Sequence, residues 1–415
     1  MSDASVDPVA SSLLRRPDYM LFMVSRVTAV LGVQIQTVAL GWQVYAVARE
    51  TMPVAQAAFY VGMIGLASFI PVFLLALPAG ETADRHDRKI ILLLAFSGEV
   101  VTALILAAAS FSGFVSLPLL LGMAALFGVT RAFMGPASTA LGPMLVPRVL
   151  LPRAIAWNAL SFQSSAIAGP ALGGLLVAIS PGVSYAASAS FYLTALVAMV
   201  LIRGVTKPPA QPGSRWELMK EGLAYVWSNR LVFGAISLDL FAVLLGGATA
   251  LLPVFAHDIL HVGPQGFGLL RSAPAMGAAV IAMMLAVRPI RRHAGPVIFG
   301  GVAVFGLATI IFGLSRSMYL SVAALAVLGG ADMLSVYVRQ TLTQLVTPDA
   351  MRGRVGAVSS LFVGASNELG EFESGVVARF LGPVGAALFG GVGALIVTGV
   401  WAKLFPDLRK ADRLV

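Results

Sequence analysis

Gly80-Glu81-Thr82-Ala83-Asp84-Arg85-His86-Asp87-Arg88-Lys89 is a polar decapeptide set between two long apolar runs, 57–79 before it and 90–111 after it. Each run is long enough to cross a hydrocarbon layer of ~30 Å, which needs about 20 apolar residues. The decapeptide therefore reads as a short loop between two membrane spans. Its cations, Arg85, Arg88 and Lys89, place the loop on the cytoplasmic side. Asp84 is expected at a helix N-terminus, where its charge meets the positive end of the dipole.

The rest of the chain reads the same way. Hydrophobic residues make up 58% of the 415 and charged residues 11%, with mean hydropathy +0.89. A soluble domain carries roughly 25% charged residues. Twelve runs of membrane-spanning length lie near 20–47, 57–79, 89–111, 115–140, 154–179, 182–202, 231–256, 266–287, 295–314, 318–345, 355–379 and 383–405. The 43 Gly and 23 Pro would disrupt a soluble helical protein, whereas membrane helices tolerate both and pack closely on small residues. The expected fold is an all-α membrane protein of twelve transmembrane helices.

Charge sets the orientation. With a cytoplasmic N-terminus, 22 of the 28 basic residues fall in inner segments, Arg339 and Arg413 among them. The outer loops hold only Arg49, Arg316 and Arg379, and the spans hold Arg26, Arg131 and Arg271. Both termini are therefore expected inside. The net charge of +9 is spread over short inner segments and implies no nucleic-acid partner. The first apolar run is too long for the core of a cleavable signal and is expected to stay as a helix. The chain has no cysteine, so disulfides and iron–sulfur clusters are excluded. His257 and His261 are four apart but flank a loop entry; no metal or cofactor is expected.

The chain divides into 1–202, a linker over 203–230, and 231–415. Pro208, Pro209, Pro212 and Gly213 break any helix in the linker, and 215–229 reads as an interfacial helix with Trp216, Met219, Leu223, Val226 and Trp227 on one face. An internal repeat supports two halves of six spans. Leu145-Val146-Pro147, followed by Arg148 and Arg153, recurs as Leu345-Val346-Thr347-Pro348, followed by Arg352 and Arg354.

The decapeptide resembles the signature loop between helices two and three of the major facilitator superfamily, with Asp87 where that family often has Gly. Arg131-Ala132-Phe133-Met134-Gly135 resembles its R-x-x-x-G element. Gly169-Pro170-Ala171-Leu172-Gly173-Gly174 resembles its antiporter-associated motif, with Ser165 in place of an upstream Gly. The stretch 351–375 is similar to the drug and siderophore efflux branch. The resemblance implies two six-helix bundles rocking about a central site. It also implies a small-molecule substrate, coupling to protons, and a place in the bacterial cytoplasmic membrane; a monomer suffices. Gly80, Asp84, Arg85, Arg88 and Lys89 would form the conformational loop, and Gly169, Pro170, Gly173 and Gly174 the antiporter-like bend.

Six carboxylates fall inside spans: Glu99, Asp239, Asp332, Glu368, Glu371 and Glu373. Three span arginines cannot neutralise all of them, so some must be protonated or face water. Asp332 and Glu368 lie at matched depth and are expected to share a proton, with Glu99 and Arg131 as the alternative coupling site. Arg26 and Asp239 are expected to approach as a gate when the inner side is closed. Gln36, Gln43, Gln163 and Asn367 are the cavity hydrogen-bonding candidates. The expected function is a proton-coupled exporter. An importer or facilitator of sugars or organic acids shares the fold. A membrane-embedded lipid-modifying enzyme is the distant alternative: the chain has no H-E-x-x-H, nucleotide-binding loop or Asp-rich cluster.

Overall fold

A computed structural model describes residues 13–207 and 215–412. Pro208, Pro209, Pro212, Gly213 and Arg413 lie outside the described residues. Among the described residues the regular structure is entirely helical. The first half consists of α1 (Pro17–Arg49), α2 (Val54–Arg85), α3 (Arg88–Ser112), α4 (Leu117–Leu141), α5 (Leu151–Ile179) and α6 (Pro181–Leu201). A short α7 (Arg215–Ser228) leads to α8 (Arg230–Leu245), α9 (Gly263–Val287), α10 (Ala294–Leu314), α11 (Met318–Val346), α12 (Asp349–Leu404) and the single-turn α13 (Pro406–Arg409). Local chemistry sets several boundaries. Asp87, Ser116, Ser180 and Asn229 each accept from a backbone N–H of the helix they begin. Gly113, at φ 75°, ends α3 in the left-handed conformation that favours glycine.

Eleven helices are long and apolar enough to cross a membrane. The difference from the expected twelve lies in α12, which joins the last two expected spans with a break at Gly382 (φ 75°, ψ 167°). That break is a reversal. Before it, Val358 packs with Val232 and Ile236, and Gly370 meets Leu244, so the chain climbs alongside α8. After it, Gly390 meets Leu245 and Gly234 meets Phe405, so the chain descends.

The connection between α2 and α3 is shorter than the sequence predicts. Helix α2 runs to Arg85 and α3 begins at Arg88, leaving only His86 and Asp87 between them. The cap of α3 is Asp87, whose Oδ1 accepts from Lys89 N at 2.9 Å. Asp84 lies instead in the last turn of α2, within electrostatic reach of Arg88. The cations bind carbonyls at neighbouring helix ends, where the dipole is negative. Arg88 Nη1 donates to Ala140 O at 3.0 Å, and Lys89 Nζ donates to Val200 O and Ile202 O at 2.9 and 2.6 Å. Arg85 pairs with Glu81 one turn back at 2.9 Å.

Helix α7 straps the base of α12. Val226 is buried against Val355 and Val358, Tyr225 Oη donates to Val346 O at 3.0 Å, and Glu221 pairs with Arg354. Trp216 and Trp227 remain exposed. The two repeat segments have matching geometry: Pro147 and Pro348 both adopt extended backbone immediately before a helical turn.

Candidate transport site

The two halves meet at one end of the molecule and part at the other. At the end remote from residues 13 and 412, Tyr45 Oη donates to Asp258 and Arg49 Nη2 lies 3.3 Å from Asp258 Oδ1. Glycines allow backbone to meet backbone there. A Cβ on Gly62 would stand 2.7 Å from Gly375 Cα, and one on Gly174 would stand 2.7 Å from Gly268 Cα. Helix α5 records the change along its length. One face of its second half (Ser165, Gly169, Pro170, Gly173, Gly174 and Val177) is buried while the opposite face (Leu172, Leu175, Ile179) is exposed. In its first half Arg153, Ile155, Trp157 and Leu160 are exposed and Ala154 is buried. The antiporter-like bend thus serves two interfaces: Gly169 and Gly173 admit Gln34, Ile35 and Val38 of α1, and Gly174 admits α9.

Several charges within the long helices are paired. Arg131 Nη1 of α4 lies 3.0 Å from Glu368 Oε1 of α12, joining the halves. Arg271 of α9 lies 3.5 Å from Glu371. Glu99 is fully buried and accepts from Thr130 Oγ1; its other oxygen has no partner among the described residues. Glu373 accepts a long bond from Ser374. Asp239 pairs with Arg339 at 3.1 Å, with side chains 5% and 3% exposed. Arg339 is therefore a fourth arginine within a long apolar helix, inside α11, where the charge pattern counted it with the inner segments.

The expected pairing of Asp332 with Glu368 is not formed. The charges acting on Asp332 are Asp239 and Arg339, whereas those acting on Glu368 are Arg131, Glu371 and Arg271. Equal depth did not bring them together, because α11 turns Asp332 toward α8 while Glu368 faces α4. Arg26 and Asp239 are also apart in this conformation. Arg26 Nη1 donates to Ser138 Oγ at 2.7 Å and Asp239 holds Arg339, so each makes its contact within its own half, while Arg26 Nε has no partner among the described residues.

Between the halves lies a cavity of about 330 Å³, lined by α5, α8, α9, α10, α11 and α12. Of the four expected cavity residues, Gln163 and Asn367 line it. Gln163 Nε2 crosses to Ala275 O at 2.6 Å. Gln36 and Gln43 do not line it. Gln36 is fully buried with neither amide atom partnered, and Gln43 Nε2 donates to Ser110 Oγ at 2.9 Å. Their polar face on α1 turns into the first half instead of toward α8–α12.

One cavity element was not anticipated. Helix α8 breaks at Gly246–Gly247, and the chain continues through a 3₁₀ turn (Ala248–Leu251) and a π turn (Phe255–Ile259). Gly247 is pressed on the carbonyl of Gly370, while Gly246, Gly247 and Thr249 face the cavity. Irregular backbone at membrane depth is tolerated where it lines a cavity. The adjacent Gly246-Gly247 pair was the available sequence signal. Among the described residues no group of three or more His, Cys, Asp or Glu is placed to hold a metal ion.

Residues 10–414 match the family described as transmembrane secretion effector. The chain is 30% identical to the enterobactin exporter EntS of Citrobacter koseri, over 84% of this chain and 82% of that protein. It is 28% identical to EntS of Shigella boydii over the same shares. Among solved structures, a POT family transporter superposes with a TM-score of 0.74 at 14% identity, covering 94% of this chain and 96% of that one. A bacterial homologue of the iron transporter ferroportin gives 0.69 at 17% identity, covering 94% and 99%. These structural likenesses establish the major facilitator fold, and the chain belongs to the transmembrane secretion effector family of that superfamily.

Proposed function

We propose that this protein is a proton-coupled exporter of small organic molecules, of drug or siderophore type, working by alternating access in the bacterial cytoplasmic membrane. The limbs of α12 on either side of Gly382 count as separate spans in this reading, making twelve. The bundles are 1–202 and 231–415, joined by 203–230, with both termini cytoplasmic. The closed end then faces outward and the parted end faces the cytoplasm.

The observation that carries the reading is the Arg131–Glu368 ion pair beside the cavity. A proton placed on Glu368 would neutralise one member of a tie between the halves, linking proton binding to their relative motion. Export over import is supported by the Gly169–Gly174 element and by relatives that carry the name of enterobactin exporter.

Enterobactin is accordingly the first substrate to test. In proteoliposomes, addition of enterobactin should dissipate an imposed pH gradient. Glu368→Gln should abolish that response while substrate-for-substrate exchange continues. Net enterobactin movement in wild type that leaves an imposed pH gradient undissipated would overturn proton coupling. Absence of both movements, for enterobactin and for the cations named below, would overturn the exporter assignment.

A further inference from the structure

We infer that the cavity selects organic cations and that Asp332 is the anionic anchor that holds them. This rests on the transporter reading, which makes the cavity the substrate site. The argument begins with charge. Around the cavity, Glu371 is matched by Arg271, Glu368 by Arg131, and Asp239 by Arg339. Asp332 lines the cavity with no ion pair or hydrogen bond among the described residues. The charged groups facing it are Asp239 of α8 and Arg339 of its own α11, which already hold each other at 3.1 Å. Glu371 of α12 also lines the cavity, paired with Arg271 of α9.

A cavity whose cations are all committed and whose carboxylates exceed them by one has a preference by sign. An anionic ligand would enter low-dielectric surroundings opposite Asp332, with no unpaired cation among the described cavity-lining residues to balance it. A cationic ligand would supply the missing partner. The walls fit the same class: Phe162 from the first half and Phe305 from the second present ring surface, which attracts quaternary nitrogen and covers apolar groups. Asn367 and Thr249 add neutral polar contacts. A proton on Asp332 would remove the anchor, so proton and cation compete for one carboxyl group.

The test uses purified full-length protein in lipid nanodiscs and equilibrium binding of three matched probes. These are a phenylalkyltrimethylammonium ion, its uncharged isostere with carbon in place of nitrogen, and a phenylalkyl sulfonate. Wild type should bind the cation about tenfold more tightly than the isostere, or better, and the sulfonate more weakly than either. Asp332→Asn should bring cation affinity down to that of the isostere and leave isostere binding unchanged, which also shows that the variant is folded. Asp332→Glu should keep the preference, and acidification should weaken cation binding in wild type but not in Asp332→Asn. Equal binding of cation and isostere by wild type, or a preference that survives Asp332→Asn, would overturn the inference. Proton-driven enterobactin movement without any cation preference would sink this inference alone. Cation binding without movement of any probe would sink the transporter reading and leave the site.

Discussion

Tyr45 and Arg49, one turn apart on α1, both reach Asp258 across the interface between the halves. His257 Nδ1 stands 3.2 Å from the same carboxylate and packs against the rings of Trp42 and Tyr45. Both members of the Arg49–Asp258 pair are mostly covered, so the contact escapes much of the screening that weakens surface pairs. Losing charge-assisted bonds of this kind costs about 1.5–3 kcal/mol, roughly a ten- to 150-fold shift between closed and open forms. Because the chain has no cysteine, spin labels can be placed singly, and Glu50→Cys with His261→Cys reports the width of this end. Asp258→Ala should add a population of longer distances; an unchanged distribution would show that the latch does not hold the end closed. Asp258 was not legible as a functional residue. A charge at the margin of a span reads as loop, and its partner is 213 residues away. Arg131, Glu368, Gln163 and Asn367 were legible, because a polar group inside an apolar run must meet protein or water wherever the helix is packed. Arg339 was missed for the same marginal position, although it is among the most deeply buried cations of the described residues.

At the scale of elements, closure depends on helices whose small residues let backbones touch. The Gly169–Gly174 stretch was recognisable as a close-packing surface, and Pro170 does sit inside an otherwise continuous α5. What sequence could not tell is which neighbour each glycine admits, since that depends on the rotation of α5 about its axis. Gly174 is the one that faces α9, where a Cβ would meet Pro264 O at 2.6 Å and Gly268 Cα at 2.7 Å. Those obstacles are backbone and cannot rotate away. Gly174→Val should therefore hold the remote end open, lengthen the Glu50–His261 label distance and slow transport, with protein still present in the membrane. Gly122→Ala in α4 is the control: nothing lies within 4 Å of the Cβ it would add. A Gly174→Val protein with wild-type label distance and turnover would show that α5 and α9 need not approach. The broken α8 belongs at this scale too. Its Gly246-Gly247 pair lies within a run apolar enough to be read as one span, and hydropathy alone does not register where a helix unwinds.

Over the whole molecule, the acidic residues divide into separate charge clusters. Depth along each helix was predictable at 1.5 Å per residue, which is why Asp332 and Glu368 were expected together. Azimuth was not predictable, and it places Asp332 with Asp239 and Arg339, and Glu368 with Arg131, Arg271 and Glu371. Among the described residues, no ion pair joins the two clusters, although Asp332 and Glu371 line the same cavity. Substitutions without shared partners add to within about 0.5 kcal/mol, roughly a factor of two in a binding constant. The phenylalkyltrimethylammonium affinity of Asp332→Asn, Glu368→Gln and the double variant therefore tests the partition. Asp332→Asn should account for the loss in affinity. Glu368→Gln, which frees Arg131 but leaves the Asp332 anchor in place, should lower it less than Asp332→Asn does, and the double variant should match the product of the two single effects. The same variants should separate in transport, with the Glu368 amide losing its response to a pH gradient while retaining exchange. A double variant that departs from the product by much more than twofold would mean that Asp332 and Glu368 titrate as one unit. A single shared proton, bound between the clusters, would then have to link the cavity to the tie between the halves.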